Sequence, residues 1–485
     1  MSRQHGDSAY AGVTLRPGRC VAAVIRDATV MALSCGSGGA ADPAGADEVL
    51  GAITAAAPGD IQAVTIDPSR LLLDAVLHPA ADAAGTGRVA VIRIVPRAAR
   101  DPRLARSPAD LVERLVGRRF TVAGGHDLLG NELCPLDTAG LARVCAHLQR
   151  AGVRGVAIVA PGSQAQPEHE RAVADAVQAA LPDAHISAAT DFGGQGLVAR
   201  EATVILDCAL GAITGRLLNV WEDAIRRSGT GAALRVARGD GGYSTPSRAR
   251  ALPALTLGAT DALELCGAAY LHGAQECRVV LPRPGGHVSG DVRHGLAVVR
   301  SAELAGIGTA LVVPTAVLAP DPGVSQNGER RWVRDVPVVH ADGDPGLLAC
   351  VGAAVSQPTA WIDEVAFIES AEHLERIRRE AEERVSAIVT ANGAAPGTAY
   401  LTEASIVAVP YSPAGTVRIR VRVAGAADGE LRRAHGEVHG EVHGEVHGEV
   451  HGEAHGDVYG EVHGGVYGEV HAEVQSPRRP EPVVP

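Results

Sequence analysis

LDTAGLARVCAHLQRAGVRGVAIVAPGSQAQPEHERAVADAVQAALPDAHISAA, residues 136–189, alternates between two hydrophobic periods. Leu141, Val144, Cys145 and Leu148 recur at helical spacing behind Asp137, a residue suited to cap a helix, and Gly152 supplies the stop. GVRGVAIVA (152–160) is a short apolar run of the kind that forms a buried strand. Pro167 and acidic residues open the next helix, PEHERAVADAVQAAL (167–181), at the end where the helix dipole favours negative charge. AHISAA (184–189) then returns as a strand. The alternation predicts a parallel or mixed sheet covered by helices, an α/β fold.

The same reading extends in both directions. YAGVTLRPGRCVAAVIRDATVMAL (10–33) holds three β-like runs broken at Arg16-Pro17-Gly18 and at Arg26-Asp27, which predicts a meander. Helical periodicity follows in ADEVLGAITAA (46–56), and IQAVTI (61–66) and GRVAVIRIV (87–95) read as buried strands. A long helix is expected from Arg200 to Ser228, followed by a strand at ALRVARGDGGYSTP (233–246) and a helix at DALELCGAAYLHGA (261–274). RVVLPRPGGHVSGDVRHGLAVV (278–299) predicts a hairpin around Gly285-Gly286, whose backbone amides can approach a phosphate. From Ala371 to Asn392, Leu374, Ile377, Ala381, Val385 and Ile388 form one helical stripe closed by Asn392-Gly393. TVRIRVRV (416–423) alternates strictly, which predicts a half-buried strand with Val417, Ile419, Val421 and Val423 inward and three arginines outward.

Composition narrows the function classes. At 485 residues the chain is long enough for two or three packed units. Its core must come from Val, Leu, Ile and Ala, because aromatics make up only 3%. All 44 basic residues are arginine, so chemistry through a P-loop lysine, a Schiff-base lysine or a lysine base is excluded. A net charge of −12 without a basic cluster gives no footprint for nucleic acid. The eight cysteines lack any C-x-x-C pair and read as small buried residues of a reducing compartment. No apolar leader core and no spanning run is seen, so the expected location is the cytoplasm, away from membrane.

From His435 to Val474 a four-residue unit, H/Y-G-E-V with small variations, repeats ten times. A glycine in nine of the ten units penalises a helix by roughly 1 kcal/mol each time, so a disordered tail is expected. Expansion of a short DNA repeat accounts for it, and His435, His439, His443 and His447 offer adventitious metal ligands.

Three separated segments carry a resemblance: GGHDLLGNELCPLDTAGLARVCAHLQRAGVRGVAIVAPGSQAQPEHERAV (124–173); REATVILDCAL (200–210) with GDGGYSTPSRARALPALTLGATDALELCGAAYL (239–271); and ASIVAVPYSPAGTVRIRVRVAG (404–425). In type, order and spacing the chain resembles the hydantoinase/oxoprolinase family, in particular its shorter hydantoinase A-like members. The resemblance implies an actin-like ATPase (ribonuclease H-like) architecture of two α/β lobes with ATP and a divalent cation between them. It implies ATP-coupled hydrolysis of a cyclic amide such as a hydantoin or 5-oxoproline, in which phosphorylation of the carbonyl oxygen makes a leaving group. It also implies a second hydantoinase-type subunit or a homo-oligomer as partner. The expected units are an N-terminal lobe over 1–185, an actin-fold lobe over 186–345, C-terminal elements over 346–426 and the tail over 427–485.

The phosphate loops depart from the family pattern. Thr14 stands where a first Asp is expected, Arg16-Pro17 replace two glycines, and Val21 replaces a later Asp. Pro17 has no N–H to offer a phosphate. In the second hairpin Gly285 and Gly286 persist, Arg283 takes the place of an Asp, and His287 that of a threonine; Ser289 and Asp291 remain as hydroxyl and carboxylate. LGATDA (257–262) retains Gly258 of a nucleotide turn, and Asp240 with Gly241 and Gly242 suits a loop in the cleft. The site expected from sequence therefore comprises Asp240 and Asp291 as weak catalytic candidates, Asp291 as a metal candidate, and Gly241, Gly242, Gly258, Gly285, Gly286 and Ser289 around a nucleotide. Asp261 is a third carboxylate within reach of the hairpin. Cys208, inside the apolar ILDCAL, reads as core; His126-Asp127 reads as a solvated turn pair, and Glu168, His169 and Glu170 as a capped helix start. The alternative reading is a catalytically inactive homologue retained as a binding or regulatory subunit.

Overall fold

The computed structural model describes residues 8–26, 29–35, 42–57, 61–78, 88–96, 107, 109–321, 336–341, 343–410 and 412–427. The repeat, with His435, His439, His443 and His447, lies outside them.

The meander forms as expected. β1 (Ala9–Arg16), β2 (Arg19–Arg26) and β3 (Thr29–Cys35) pair antiparallel, and β4 (Ile61–Asp67) joins the free edge of β1 in parallel. β9 (Ala233–Ala237) pairs parallel with β4, and the short β10 (Tyr243–Ser244) completes the sheet in the order β10-β9-β4-β1-β2-β3. The period of two in β1 sorts its residues between two cores. Ala9, Ala11, Val13 and Leu15 pack against α1 (Pro43–Ala56) and the far half of α6 (Leu197–Ser228), where Trp221 is fully buried. Tyr10 and its neighbours on the other face pack against α9 (Pro345–Ala354) through Cys350, Val351 and Ala354. Gly12 permits that contact: a Cβ there would lie 1.9 Å from the carbonyl oxygen of Cys350.

Between β4 and β9 the chain builds a second sheet of four parallel strands: β5 (Val89–Val95), β6 (Val116–Ala123), β7 (Gly155–Val159) and β8 (His185–Ala188), in the order β6-β5-β7-β8. α4 (Thr138–Arg150) and α5 (Glu168–Ala180) cover one face through Leu141, Leu148, Val173 and Val177. The near half of α6 covers the other through Ala202, Ile205, Leu206 and Ala209. One 32-residue helix therefore serves two cores. It starts at Leu197, three residues before the expected Arg200.

The expected second hairpin is β11 (Cys277–Arg283) and β12 (Gly286–Arg293), extended by β13 (Leu296–Ala297) and, in parallel with β11, by β17 (Val338–His340). α8 (Ala259–Leu271) packs beneath it. α8 and α9 touch backbone to backbone: Gly267 faces the carbonyl of Leu348, and Gly352 faces that of Leu263, each so closely that a Cβ would lie about 2 Å away. Two helices with reciprocal glycines thus join the first sheet to the hairpin.

The last sheet, β18 (Thr359–Phe367), β20 (Thr416–Ala424) and β19 (Tyr400–Ala408), is covered by α10 (Ala371–Ala391), whose Ala381, Val385 and Val389 are buried. One expectation fails here. β20 is the central strand, and its arginine face is buried as well: Arg420 and Arg422 are 4% and 3% exposed. Arg418 grips Asp363 of β18 with Nε and Nη2, 2.6 and 2.5 Å away, and Arg422 donates to the carbonyls of Ala297 and Asp240. Alternation of charge and apolar residues cannot distinguish solvent from a buried array of partners.

Candidate functional site at the two hairpin tips

The two hairpin tips and the first turns of α8 enclose a polar cluster. At the first tip Arg16 and Arg19 are cross-strand partners around Pro17-Gly18, and at the second Arg283 faces Gly286 around Pro284-Gly285. Gly18, Gly285 and Gly286 have positive φ, and a Cβ on any of them would meet nothing within 4 Å. Among the described residues, none would crowd a Cβ at these three positions.

Glu264 of α8 lies below them, 3% exposed in its side chain. Arg283 donates through Nη2 to Glu264 Oε2 at 2.5 Å, and Arg16 Nη2 lies 4.0 Å from Oε1. One carboxylate thus receives an arginine from each hairpin. One turn earlier on α8, Asp261 accepts from the same Arg283 at 3.3 Å and from Arg70 of α2 (Ser69–Leu77) at 2.7 Å. Burial raises the Glu264 carboxyl to about 7; Asp261 pushes the same way, and Arg283 only partly offsets them.

Asp67, at the end of β4, extends the network. Its Oδ1 takes the Ser69 amide at 3.0 Å and its Oδ2 the Thr260 hydroxyl at 2.6 Å. Burial nonetheless raises its pKa. On the first-sheet side the Thr14 hydroxyl and Cys350 Sγ are 3.5 Å apart, and burial pushes the Cys350 thiol up to about 12. The cluster combines partly exposed guanidinium groups with more deeply buried, hydrogen-bonded carboxyls.

The residues expected from sequence disperse around this cluster. Asp291 is bound by Arg278 of the neighbouring strand, at 2.7 and 3.1 Å. Ser289 sits opposite Val280 in the ladder. Gly258, at φ +77°, is the residue from which α8 starts. Asp240 is fully buried and accepts from Thr359 Oγ1 at 3.0 Å, from the Gly242 amide at 3.2 Å and from Arg238 at 3.3 Å. Burial opposes its ionisation, but Arg238, Arg422 and these hydrogen bonds outweigh it and hold the carboxyl below its usual range. Gly241 packs against Cys266 and Gly242 against Thr359, so this loop anchors the last sheet.

Glu264, Asp67 and Arg70 were not singled out from sequence. Glu264 left one signal: a carboxylate inside the otherwise apolar run ALELCGAA, a pattern that demands a partner wherever it is buried.

Residues 97–181 match the sequence profile of the hydantoinase/oxoprolinase N-terminal region. Over this stretch the chain is similar to the hydantoinase/oxoprolinase family. Among solved structures it is similar to a nucleotide-free acetone carboxylase from work on ATP-dependent acetone carboxylation: TM-score 0.57, 11% identity, 86% of this chain and 88% of that one covered. It is also similar to an ATP-dependent caprolactamase from Pseudomonas jessenii: TM-score 0.61, 12% identity, with 87% and 88% covered. No curated protein matches its sequence. At these identities the likeness is one of fold, mixed α/β with parallel sheets.

Within the profile-matched region two sequence readings need correction. His126 is buried rather than solvated, its ring centroid 4.3 Å from that of His169, whose Nδ1 accepts from the Gly125 amide at 2.9 Å. Glu170 stands in the first turn of α5 as expected, but its carboxylate is turned inward. It is fully buried and collects the Ala160 and Thr190 amides and the Ser163 hydroxyl, each at 2.7 Å, beside Arg200. Cys208 is core, its thiol raised well above its ordinary value by burial. Among the described residues no group of three or more His, Cys, Asp or Glu is placed to hold a metal ion, and no helix is long and apolar enough to cross a membrane.

Proposed function

We propose that the chain is a hydantoinase/oxoprolinase-type subunit that keeps the two-lobed, actin-like frame of the family without performing magnesium-dependent phosphoryl transfer itself, and that it serves as a binding or regulatory subunit. One observation carries the reading: Arg16 and Arg283, from the two hairpin tips, both turn to Glu264 of α8. A divalent cation held between phosphates needs free carboxylate or water ligands at these tips. The donors there are guanidinium groups, Asp291 is bound by Arg278, and Asp261 by Arg70 and Arg283. This set does not fit the ion.

The proposed assembly is with a second hydantoinase-type subunit or a second copy, in the cytoplasm and without nucleic acid or membrane. The proposed units are 1–185, 186–345 and 346–426. A second reading, ATP-coupled opening of a cyclic amide at the same site, is supported by the likeness to the caprolactamase over most of both chains. In it, Ser289, Gly285, Gly286 and Gly258 would contact nucleotide, and Asp240 and its glycines would act from the side.

Phosphate release from ATP, measured with and without magnesium and with hydantoin, 5-oxoproline or caprolactam added, decides between the two. The proposal expects no release above the no-protein control and no tightening of ATP by magnesium. Release that rises with any of the cyclic amides would establish the second reading.

A further inference from the structure

Arg16 and Arg283 are 34% and 23% exposed in their side chains, while the carboxylate they share is 3% exposed. The guanidinium of Arg16 reaches Glu264 at only 4.0 Å, and its buried Nε has no hydrogen-bond partner. A forked donor so placed is under-used, and forked guanidinium pairs match the geometry of tetrahedral oxyanions.

We propose that Arg16 and Arg283 form a metal-independent oxyanion site, with Glu264 as a displaceable internal counter-ion. The ligand class is a tetrahedral dianion, such as sulfate or a phosphate group, entering between the two tips. Bound there, it would take up donors from both hairpins and release Glu264 to its protonated form. Neutralising Glu264 leaves three arginines, Arg16, Arg70 and Arg283, against the single carboxylate Asp261, an excess of positive charge that the dianion offsets. Asp67 faces away, engaged by Thr260 and Ser69. α9 brings the Cys350 thiol, which is directed to Thr14 and to the Val21 carbonyl, and its capping residue Asp344 is held by Arg19 of the first tip at 3.4 Å. The hairpin charges Arg278 and Asp291 satisfy each other.

Since the Glu264 carboxyl titrates at about 7, about nine-tenths of it is protonated at pH 6 and about one-tenth at pH 8. Binding that requires the neutral form is therefore about ten-fold tighter at the lower pH. This inference is independent of whether ATP is hydrolysed.

The test is calorimetric titration of the full chain with sodium sulfate in EDTA, at fixed ionic strength, at pH 6 and pH 8. Sulfate stays a dianion throughout. The expected result is saturable binding, about ten-fold tighter at pH 6, which Glu264→Gln makes equally tight at both pH values and which Arg16→Met and Arg283→Met each abolish. A thermal melt checks that the variants fold, and Arg283→Lys, which keeps the charge but loses the fork, is expected to bind weakly. Absence of saturable heat in both wild type and Glu264→Gln overturns the proposal. So does binding that survives both methionine substitutions, which would mean an adventitious ion only.

Discussion

Asp291 and Arg278 face each other across the β11–β12 ladder, and the guanidinium holds both carboxylate oxygens. A carboxylate held in this way on an open strand face is structural. Both side chains are more than a third exposed, so solvent screens the pair and its worth is about 0–1 kcal/mol. Asp291→Ala is expected to lower stability by no more than that and to leave sulfate binding unchanged; urea denaturation and calorimetry check the two halves.

Asp240 should behave differently. Its removal leaves Arg238 and Arg422 buried without their counter-charge, a situation that costs about 3–5 kcal/mol. Because its folded pKa lies below its unfolded value, its stabilisation is present above about pH 4 and disappears as pH falls through the folded pKa. Asp240→Asn is therefore expected to melt much earlier at pH 7 and to show a smaller stability loss on acidification than wild type.

Glu264 has the opposite sign. Its carboxyl is raised from 4.5 to about 7, so the folded state holds a proton that the unfolded state gives up across that window. Stability falls as pH rises from 4.5 to 7, by an amount on the order of 3 kcal/mol from this group. Glu264→Gln should flatten that slope in chemical denaturation performed at closely spaced pH values.

Two glycines give a matched pair. Gly12→Ala drives a methyl into the backbone of α9 at Cys350 and Ala354, and should destabilise by about 3 kcal/mol or prevent folding. Gly51→Ala lies on the exposed side of α1 with nothing near it, and should stabilise by about 1 kcal/mol through helix propensity alone. Thermal melts of the two variants are expected to move in opposite directions.

Thiol labelling checks the packing. Of Cys20, Cys134, Cys145, Cys208, Cys266, Cys277 and Cys350, Cys134 alone is not buried, and burial raises the thiols of Cys208, Cys266, Cys277 and Cys350. Peptide mapping after brief alkylation of the native protein should find Cys134 modified and those four intact.

Much of the fold was legible because its elements obey simple periods. The meander, both hairpins, the helices α4, α5, α6, α8 and α10 and the second-sheet strands β5, β7 and β8 follow from spacing, caps and turn residues, whereas β6 and α9 carry no such signal that the sequence reading used. What the sequence concealed depends on partners distant along the chain. TVRIRVRV has the alternation of a half-wet strand, yet Asp363 and two carbonyls make its arginine face an interior one. His126 resembles any turn histidine until His169, from another element, stacks upon it. At the site the two glycine hairpins were visible and their departures could be named, but Glu264 could not be placed: only the crossing of α8 and α9 brings it beneath both tips. Asp240 seemed available for chemistry because a loop of glycines surrounds it, and those glycines instead let Thr359 and Cys266 approach.

The placement of the four-stranded parallel sheet between β4 and β9 bears on how the molecule is made. β4 and β9 are side-by-side partners in one ladder, yet residues 68–232 lie between them. During synthesis the edge of β4 stays unpaired until that whole insertion has emerged and collapsed, because only a compact insertion returns its two ends to within one strand spacing, about 4.8 Å. Assembly of the first sheet is thus timed by the second, and a lesion in the inserted unit would be felt as aggregation through an exposed β4 edge.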